Sequence, residues 1–153
     1  MITVGVIGCG YWGPNLIRNF VEHEAAQVRW ICDMDAKRLA AIGRRYPAAR
    51  ATMDHHEMLA DAELDAVVIA TPVSTHYPFA KAALAAGKHV LIEKPLTAKS
   101  QEAAELLAVA EQRGLTLMVD HTFVYTGAVR KIKEIVESGE LGDLLYFDSI
   151  RIN

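Results

Sequence analysis

Ile2-Thr3-Val4-Gly5-Val6-Ile7-Gly8-Cys9-Gly10-Tyr11-Trp12-Gly13 is the stretch that decides the fold of this chain. Its first half, residues 2–7, is apolar almost throughout and predicts a buried β-strand. Beyond it, the spacing i, i+3, i+4, i+7 predicts one face of a helix, formed by Gly13, Leu16, Ile17 and Phe20. The pattern G-x-G-x-x-G therefore lies at a strand-to-helix turn, which is where a phosphate-binding loop has to lie.

The three glycines of this turn have separate physical roles. Gly8 can adopt the backbone angles of a tight turn, Gly10 has no side chain to keep a diphosphate from the backbone, and Gly13 lets the helix approach the strand. The N–H groups and positive dipole end of the helix then face the anion, and Pro14 needs no hydrogen bond there. An ordinary glycine-rich turn is the alternative. The predicted cofactor contacts here are Gly8, Cys9, Gly10, Tyr11, Trp12 and Gly13.

Asp33 supports the dinucleotide hypothesis because it lies 20 positions after Gly13, at the end of the apolar stretch 28–32. This is the spacing of the acidic residue that binds the adenosine ribose. A carboxylate repels a 2′-phosphate, so Asp33 favours NAD over NADP. The nearby Lys37 and Arg38 could soften that preference, or could simply be solvated residues in the first turn of a helix.

Composition excludes several classes of protein. The chain has 153 residues, enough for one domain with its own core, and 52% of them are hydrophobic. The net charge of −3 gives no electrostatic reason to expect nucleic acid or an acidic membrane as a partner. The sequence shows no secretory signal and no apolar run of about 18 residues. Cys9 and Cys32 form no C-x-x-C pair and indicate a reducing compartment, so we expect a cytoplasmic protein.

Strand-like and helix-like patterns alternate along most of the chain. The predicted strands are apolar throughout rather than alternating, which is typical of strands buried on both faces. The sequence therefore predicts an α/β fold with a doubly wound, mostly parallel sheet. Asp54 and Ser100 are predicted helix N-caps, and Gly87 and Gly114 are predicted to end helices.

Polar residues follow several of these strands directly, at the edge where such folds bind ligands. They are Thr71 and Pro72 after the fourth strand, Glu93, Lys94 and Pro95 after the fifth, and His121 after the sixth. We expect Thr71 and Pro72 to line a nicotinamide pocket. An ammonium group at Lys94 could stabilise the alkoxide that develops as an alcohol is oxidised, and Glu93 could hold it in place. A plain polar loop is the alternative for residues 93–95.

The last thirty residues follow a different pattern. A helix with one apolar face ends at Gly139, and residues 144–152 predict a strand that would be an exposed edge. We interpret it as the first strand of a second sheet absent from this chain; the alternative is a seventh strand of the same sheet. The predicted organisation is a dinucleotide-binding domain, residues 1–121, followed by a connecting helix and strand, residues 122–153. Pairing through this strand would make a homo-oligomer.

These motifs resemble the glucose-fructose oxidoreductase / inositol dehydrogenase / MocA family, specifically its N-terminal NAD-binding Rossmann part. The resemblance covers the whole chain, and its most specific element is the triplet Glu93-Lys94-Pro95. Further matching residues are the glycine turn, Asp33, and Ala70-Thr71-Pro72 with His76. In such a family Lys94 would be the catalytic lysine. The resemblance also places His121 near the substrate or nicotinamide, with a structural hydrogen bond as the alternative, and His76 near the cofactor, with helix capping as the alternative.

The resemblance implies an NAD-dependent dehydrogenase of a sugar or a nucleotide-linked sugar, with nucleotide-sugar 3-dehydrogenases as the most similar members. Members run to roughly twice this length, so we expect the chain to bind NAD weakly and to turn over little substrate alone. The alternative function is a non-catalytic NAD-binding or redox-sensing module, and a third is a fold that binds another adenosine-containing ligand. His55-His56-Glu57 could suggest a metal, but adjacent helix residues point apart, and no metal is expected.

Overall fold

The computed structural model describes residues 1–150 and 152. The first elements in chain order are β1 (Ile2–Ile7), α1 (Gly13–Glu22), β2 (Ala26–Cys32), α2 (Ala36–Arg45), β3 (Arg50–Thr52), α3 (His55–Leu59) and β4 (Ala66–Ile69). They are followed by α4 (His76–Ala85), β5 (His89–Ile92), α5 (Ser100–Gln112), β6 (Leu117–Val119) and α6 (Gly127–Glu137), with short 3-10 turns at Val73–Thr75 and Thr122–Tyr125. The chain divides into two compact units, Met1–Asp120 and His121–Asn153.

The first unit contains a six-stranded sheet in the order β3-β2-β1-β4-β5-β6. Each pair of neighbouring strands is parallel, which confirms the predicted doubly wound α/β fold. The direction of winding reverses between β1 and β4, and the crevice at such a reversal is where these folds bind nucleotides. The glycine turn follows β1 directly and therefore lies at this reversal.

The core is divided between the two faces of the sheet. Along β4, Val67 and Ile69 belong to one cluster of buried side chains, and the intervening Val68 belongs to the other. This alternation shows that helices cover both faces of β4, as its continuous apolar sequence predicts. Burying one aliphatic side chain of this size contributes about 1.5–3 kcal/mol, so the strands are held from both sides.

Most predicted helix ends are confirmed, and one is wrong. The Asp54 carboxylate caps α3 by accepting the His56 N–H at 2.9 Å, and Gly87 and Gly114 follow α4 and α5 with φ of +76° and +65°. The predicted cap at Ser100 is wrong. Ser100 is already the first residue of α5, and its hydroxyl lies 3.3 Å from Gln101 Oε1. A cap needs a non-helical backbone, and that position belongs to Lys99, with φ −133° and ψ 141°.

The predicted C-terminal strand is not present in the described part of the segment. Residues 144–150 form no strand, and Arg151 lies outside the described residues. The apolar side chains here are largely open to solvent, with Leu145 93% and Phe147 72% exposed. A strand exists by pairing with another, and in the described part of the second unit no other strand offers hydrogen bonds. The apolar sequence of this segment does not by itself produce a strand, and its pairing in a second sheet stays a prediction.

None of the helices among the described residues is both long enough and apolar enough to cross a membrane. This observation agrees with the absence of a long apolar run in the sequence.

The segment before β4 forms a polar cluster with β2 and the start of β5. The Asp61 carboxylate accepts hydrogen bonds from Arg29 Nε at 2.6 Å and from Trp30 Nε1 at 2.7 Å. The buried Lys88 donates from Nζ to the carbonyl oxygens of Asp61 and Leu64, both at 2.8 Å. The hydrogen bond from Arg29, followed by that from Trp30, holds the pKa of the Asp61 carboxyl well below its usual range. The ionised carboxylate therefore ties β2 to the loop before β4.

We expect the free energy of unfolding to fall as the pH drops below about 4, because Asp61 ionises with a pKa below its ordinary value of 3.8 in the folded chain. The contribution is present above the unfolded value and is lost as the pH falls through the folded one. Asp61→Asn should lower stability at pH 7 and flatten this acid dependence. Urea unfolding at pH 7 and pH 3, followed by circular dichroism, measures both effects.

Glu63→Gln is the matched control, because Glu63 contacts the same Arg29 but its side chain is 72% exposed. It should leave the acid dependence nearly unchanged. Equal acid dependence in wild type and Asp61→Asn would show that the Asp61 cluster does not stabilise the fold in this way.

Candidate functional site

The turn after β1 is shaped by two glycines that no other residue could replace. Gly8 has φ of +101°, and a Cβ placed on it would lie 2.7 Å from the Ala70 carbonyl oxygen. A Cβ on Gly13 would lie only 1.9 Å from the Gly8 carbonyl oxygen. The first residue of α1 thus packs directly on the backbone of the turn, as the sequence predicted. Substituting Gly13 would push α1 away from the turn, whereas substituting Gly8 would push the turn against the backbone of Ala70 after β4.

Gly10 is different, because the space around it is open. The nearest atom to a Cβ built on Gly10 is Arg38 Nη1 at 3.7 Å, which is ordinary contact. The fold itself therefore does not require a glycine at position 10. It leaves a free stretch of backbone at the start of α1, where Pro14 lacks an N–H and, in the part of the chain that the structure describes, no side chain caps the helix. These features suit an anion held by backbone N–H groups.

The rings of Tyr11 and Trp12 belong to this turn and are exposed to solvent. Tyr11 is 92% exposed and Trp12 is 41% exposed, and their ring centroids are 6.1 Å apart in a stacked arrangement. These rings could shield phosphates or pack on the edge of the sheet, and the exposure of Tyr11 disfavours packing. Whether they contact the cofactor stays a prediction.

Asp33 lies at the end of β2 and is 8% exposed. Its carboxylate Oδ2 accepts the Cys9 N–H at 2.6 Å, and Oδ1 accepts the Asp35 N–H at 2.7 Å. The side chain thereby ties the glycine turn to the loop after β2. A carboxylate oxygen can accept two hydrogen bonds, and each oxygen of Asp33 accepts one here, so both keep a lone pair that could accept from a ribose hydroxyl. Asp33 therefore shapes the turn, and its binding to a ribose stays a prediction.

Lys37 and Arg38 lie in the first turn of α2 and are exposed. Asp35 caps this helix by accepting the N–H groups of Lys37 at 2.9 Å and Arg38 at 3.2 Å. The Arg38 guanidinium also lies 3.5 Å from the Asp35 carboxylate and reaches the space over Gly10. Lys37 and Arg38 are thus solvated first-turn residues, but Arg38 additionally borders the candidate site.

The two cysteines, Cys9 and Cys32, are buried in the core beside the turn. Burial raises the pKa of the Cys9 thiol to about 12, and the negative charge of Asp33 adds to this. Burial likewise raises the pKa of the Cys32 thiol to about 11. Both groups are neutral thiols near pH 7, so they act as small apolar side chains here, as the sequence predicted, and not as nucleophiles.

A second group of residues follows β4 and β5. Its centre is His76, which is only 1% exposed. His76 Nε2 lies 2.8 Å from the Thr71 carbonyl oxygen, and Nδ1 lies 2.8 Å from the Pro95 carbonyl oxygen. The ring therefore clamps the loop of Thr71 and Pro72 to the turn that carries Lys94. The structure places His76 between these two loops, with its ring nitrogens occupied, rather than at an open surface or a helix cap.

Glu93 and Lys94 lie in the turn directly after β5, and the Lys94–Pro95 peptide bond is cis. Lys94 is exposed, and its N–H donates to Glu93 Oε2 at 3.2 Å. Burial raises the pKa of the Glu93 carboxyl most, and the adjacent Asp120 carboxyl raises it further. The N–H of Lys94 and its positive charge lower the pKa of Glu93. Lys94 thus follows directly on a carboxyl group, that of Glu93, whose pKa is raised.

Asp120 is a residue that the sequence analysis missed. It follows β6 as Glu93 follows β5, and the register pairs the preceding residues, Ile92 and Val119. The signal was available, because two acidic residues at the ends of adjacent parallel strands must lie close together. The candidate predicted from the sequence was the next residue, His121. His121 begins the second unit, and its role near a substrate stays a prediction.

The rings of His55 and His56 lie closer together than predicted. Their centroids are 3.9 Å apart, and ligand atoms of Asp54, His55 and His56 lie within 4.8 Å of one another. The expectation that these rings diverge was wrong. Burial, followed by the charge of His56, lowers the pKa of His55. Glu57 turns away and accepts a hydrogen bond from Thr52 Oγ1 at 2.5 Å.

Comparison with known proteins gives consistent similarities. The model of an oxidoreductase family with an NAD-binding Rossmann fold matches residues 2–121. A dTDP-3,4-didehydro-2,6-dideoxy-alpha-D-glucose 3-reductase of Streptomyces violaceoruber is 32% identical over 94% of this chain and 42% of its own length. The chain spans about two fifths of the curated relatives it matches.

Two solved structures extend the similarity to three dimensions. GenD2 from gentamicin A biosynthesis, in complex with NAD, superposes with a TM-score of 0.86 at 34% identity, over 91% of this chain and 40% of that one. KijD10, a 3-ketoreductase from Actinomadura kijaniata in complex with NADP, gives 0.83 at 31% identity, over 93% and 45%. Because the family model covers most of the chain, the chain belongs to the glucose-fructose oxidoreductase / inositol dehydrogenase / MocA oxidoreductase family and has its NAD-binding Rossmann fold.

Proposed function

We propose that this chain is the cofactor-binding part of an NAD-dependent oxidoreductase that transfers a hydride to or from a carbon of a sugar or nucleotide-linked sugar. The observation that carries the proposal is the open backbone at Gly10, which the fold does not require but a diphosphate does. The Streptomyces violaceoruber relative, a 3-reductase of a dTDP-linked sugar, supports the substrate class.

The residues around the turn fit a dinucleotide. The diphosphate would lie over Gly10 at the start of α1, and the adenosine ribose would bind the remaining lone pairs of Asp33. Asp33 disfavours a 2′-phosphate, whereas Arg38 beside Gly10 offers it a positive charge. Because Arg38 is already paired with Asp35 and Asp33 faces the turn directly, NAD is the expected cofactor and NADP the weaker one.

The position of Lys94 follows from the order of the strands. β1, β4 and β5 are neighbours, so the ends of β1 and β5 are two strand spacings, about 10 Å, apart. A nicotinamide extending from the turn after β1 would lie over the ends of β4 and β5, against Thr71, Pro72 and the turn of residues 93–95. His76 holds these two walls together from beneath.

The chemistry assigned to Lys94 is electrostatic and acid–base. NAD, when bound, supplies the hydride acceptor or donor. During oxidation of an alcohol, the neutral amine of Lys94 would take the hydroxyl proton as the carbon–hydrogen bond breaks, and the ammonium so formed would stabilise the oxygen while it has alkoxide character. In the reverse direction Lys94 donates a proton to the carbonyl oxygen that gains the electron pair. Glu93 holds the backbone of Lys94 through its Oε2.

Several further features belong to this proposal. The organisation into a dinucleotide-binding domain, residues 1–121, and a connecting segment, residues 122–153, follows the sequence patterns. We also expect a homo-oligomer that covers the exposed apolar residues after α6. The hypothesis further includes a cytoplasmic location and a role for His121 near the substrate. We expect little turnover from the 153-residue chain alone, because its relatives are more than twice as long.

Gly10→Ala tests the diphosphate site. The added methyl meets only Arg38 Nη1 at 3.7 Å, so the fold should tolerate it, but it would occupy the space of the diphosphate. We expect the affinity for NAD to fall by about tenfold or more with the free energy of unfolding changed by less than about 0.5 kcal/mol. Isothermal calorimetry and urea unfolding on the 153-residue chain measure the two quantities.

Gly43→Ala is the matched control, because Gly43 lies within α2 and a Cβ there meets only Ala51 Cβ at 3.8 Å. It should stabilise the helix by about 0.5–1 kcal/mol and leave NAD affinity unchanged. Titrations with NADP and with S-adenosylmethionine should show weaker binding than NAD. Unchanged NAD affinity in Gly10→Ala would contradict the diphosphate placement.

Lys94→Ala tests the assignment as an enzyme. In the complete gene product, the variant should lower kcat by about 10²–10⁴-fold while NAD affinity stays within about twofold. Steady-state kinetics on a panel of sugars and nucleotide-linked sugars, with calorimetry for NAD, provides the measurement. Arg113→Ala, an exposed change after α5, should alter neither quantity. Equal losses of turnover and NAD binding in Lys94→Ala would favour a non-catalytic NAD-binding module.

A further inference from the structure

Glu93 and Asp120 occupy equivalent positions at the ends of two adjacent strands. Ile92 of β5 pairs with Val119 of β6, and Glu93 and Asp120 are the residues that follow them. The backbone continues in register past the pair, because the Asp120 N–H donates to the Ile92 carbonyl oxygen at 2.8 Å. Residues at matching positions of parallel strands project from the same face of the sheet. The two carboxyl groups are therefore side by side.

The Glu93 carboxyl is incompletely satisfied as an ionised group. Its Oε2 accepts the Lys94 N–H at 3.2 Å, whereas its Oε1 is buried and has no hydrogen-bond partner in the described part of the chain. An ionised carboxylate can only accept, so two ionised carboxylates cannot bond each other. A single proton between them supplies the missing donor and satisfies Oε1. A buried polar atom left without a partner would otherwise destabilise the fold.

The charges around Glu93 favour the same arrangement. Two charged groups act on this carboxyl, Asp120 from the end of β6 and Lys94 from its own turn. His76, in the neighbouring α4, directs its two ring nitrogens to the Thr71 and Pro95 carbonyl oxygens instead. Burial and Asp120 both oppose ionisation of Glu93, and together they outweigh Lys94, so the pKa of Glu93 is raised. Two adjacent carboxylates in such a setting ionise in two steps that belong to the pair.

We propose that Glu93 and Asp120 share one proton, and that Asp120 is a positioning residue that holds Glu93, and through it the backbone of Lys94, in the turn after β5. While the proton is shared, the pair presents one negative charge beside Lys94, and Oε2 stays free to accept the Lys94 N–H. Loss of the proton places a second negative charge there. The catalytic consequence rests on the proposed function; the sharing of the proton does not.

The test uses the 153-residue chain without any cofactor. The side-chain carboxyl carbon of Glu93 is followed by ¹³C NMR from pH 3 to pH 9, together with the amide resonance of Lys94. We expect Glu93 to titrate above its ordinary value of 4.5 and the Lys94 amide to shift with the same midpoint. In Asp120→Asn, the side-chain amide can donate to Glu93 Oε1, so the midpoint should move downward and the Lys94 amide should move with it.

Two outcomes would overturn the proposal. One is a Glu93 midpoint at or below 4.5 in the wild type. The other is a raised midpoint that Asp120→Asn leaves in place, since burial alone would then be the cause. Glu111→Gln, an exposed change on α5, is the control and should move neither resonance. Asp120→Ser removes the second carboxyl with a smaller side chain and gives the same test if the asparagine variant fails to fold.

A second measurement separates the positioning role from the sharing of the proton. In the complete gene product, Asp120→Ala should lower kcat by about tenfold or more with the KM for NAD nearly unchanged, and Asp120→Asn should recover most of it, because an amide can still hold Glu93. No recovery by asparagine would overturn the positioning role. Failure of NAD to bind would contradict the proposed function and leave the NMR result on the pair intact.

Discussion

The contact between the start of α1 and the turn after β1 is the constraint on which the rest of this structure depends. At Gly13 there is no room for even one carbon atom, because a Cβ would lie 1.9 Å from the Gly8 carbonyl oxygen. This close approach brings the positive end of α1 to the point where the sheet reverses its direction of winding. The fold thereby concentrates an electropositive backbone site where the strand order also opens a crevice.

Asp33 links this backbone site to the rest of the edge. By accepting the N–H groups of Cys9 and Asp35, its carboxylate fixes the turn after β1 against the loop after β2. A side chain that binds a ligand is usually described by that contact alone. Here the same carboxylate also preorganises the turn, so a loss of NAD affinity on substituting Asp33 would combine a lost ribose contact with a relaxed turn. Gly10 is therefore a cleaner probe of ligand binding than Asp33 is.

The sequence was sufficient to predict those parts of the fold that depend on local chemistry. Continuous apolar strands predicted a sheet covered on both faces, and the glycine spacing located the turn at Gly8 and Gly13. Strand pairing and the direction of side chains were harder to predict from the sequence. Residues 144–150 have the composition of a strand but no partner strand among the described residues of their unit. His76 connects two loops because Pro95, 19 residues away, supplies a carbonyl oxygen. Asp120 follows its strand as Glu93 does, but its place beside Glu93 depends on the order of β5 and β6 and on their register.

The polar groups of the first unit differ in how completely they are satisfied. Around Asp61, charged side chains meet opposite charges or carbonyl oxygens, and this arrangement stabilises the fold. After β5, by contrast, Glu93 keeps a buried oxygen that has no hydrogen-bond partner among the described residues. Such arrangements cost stability and persist where the surrounding structure enforces them, which is typical of functional sites. The edge that carries Lys94 therefore has a feature typical of functional sites, while the Asp61 cluster contributes to holding the same sheet together.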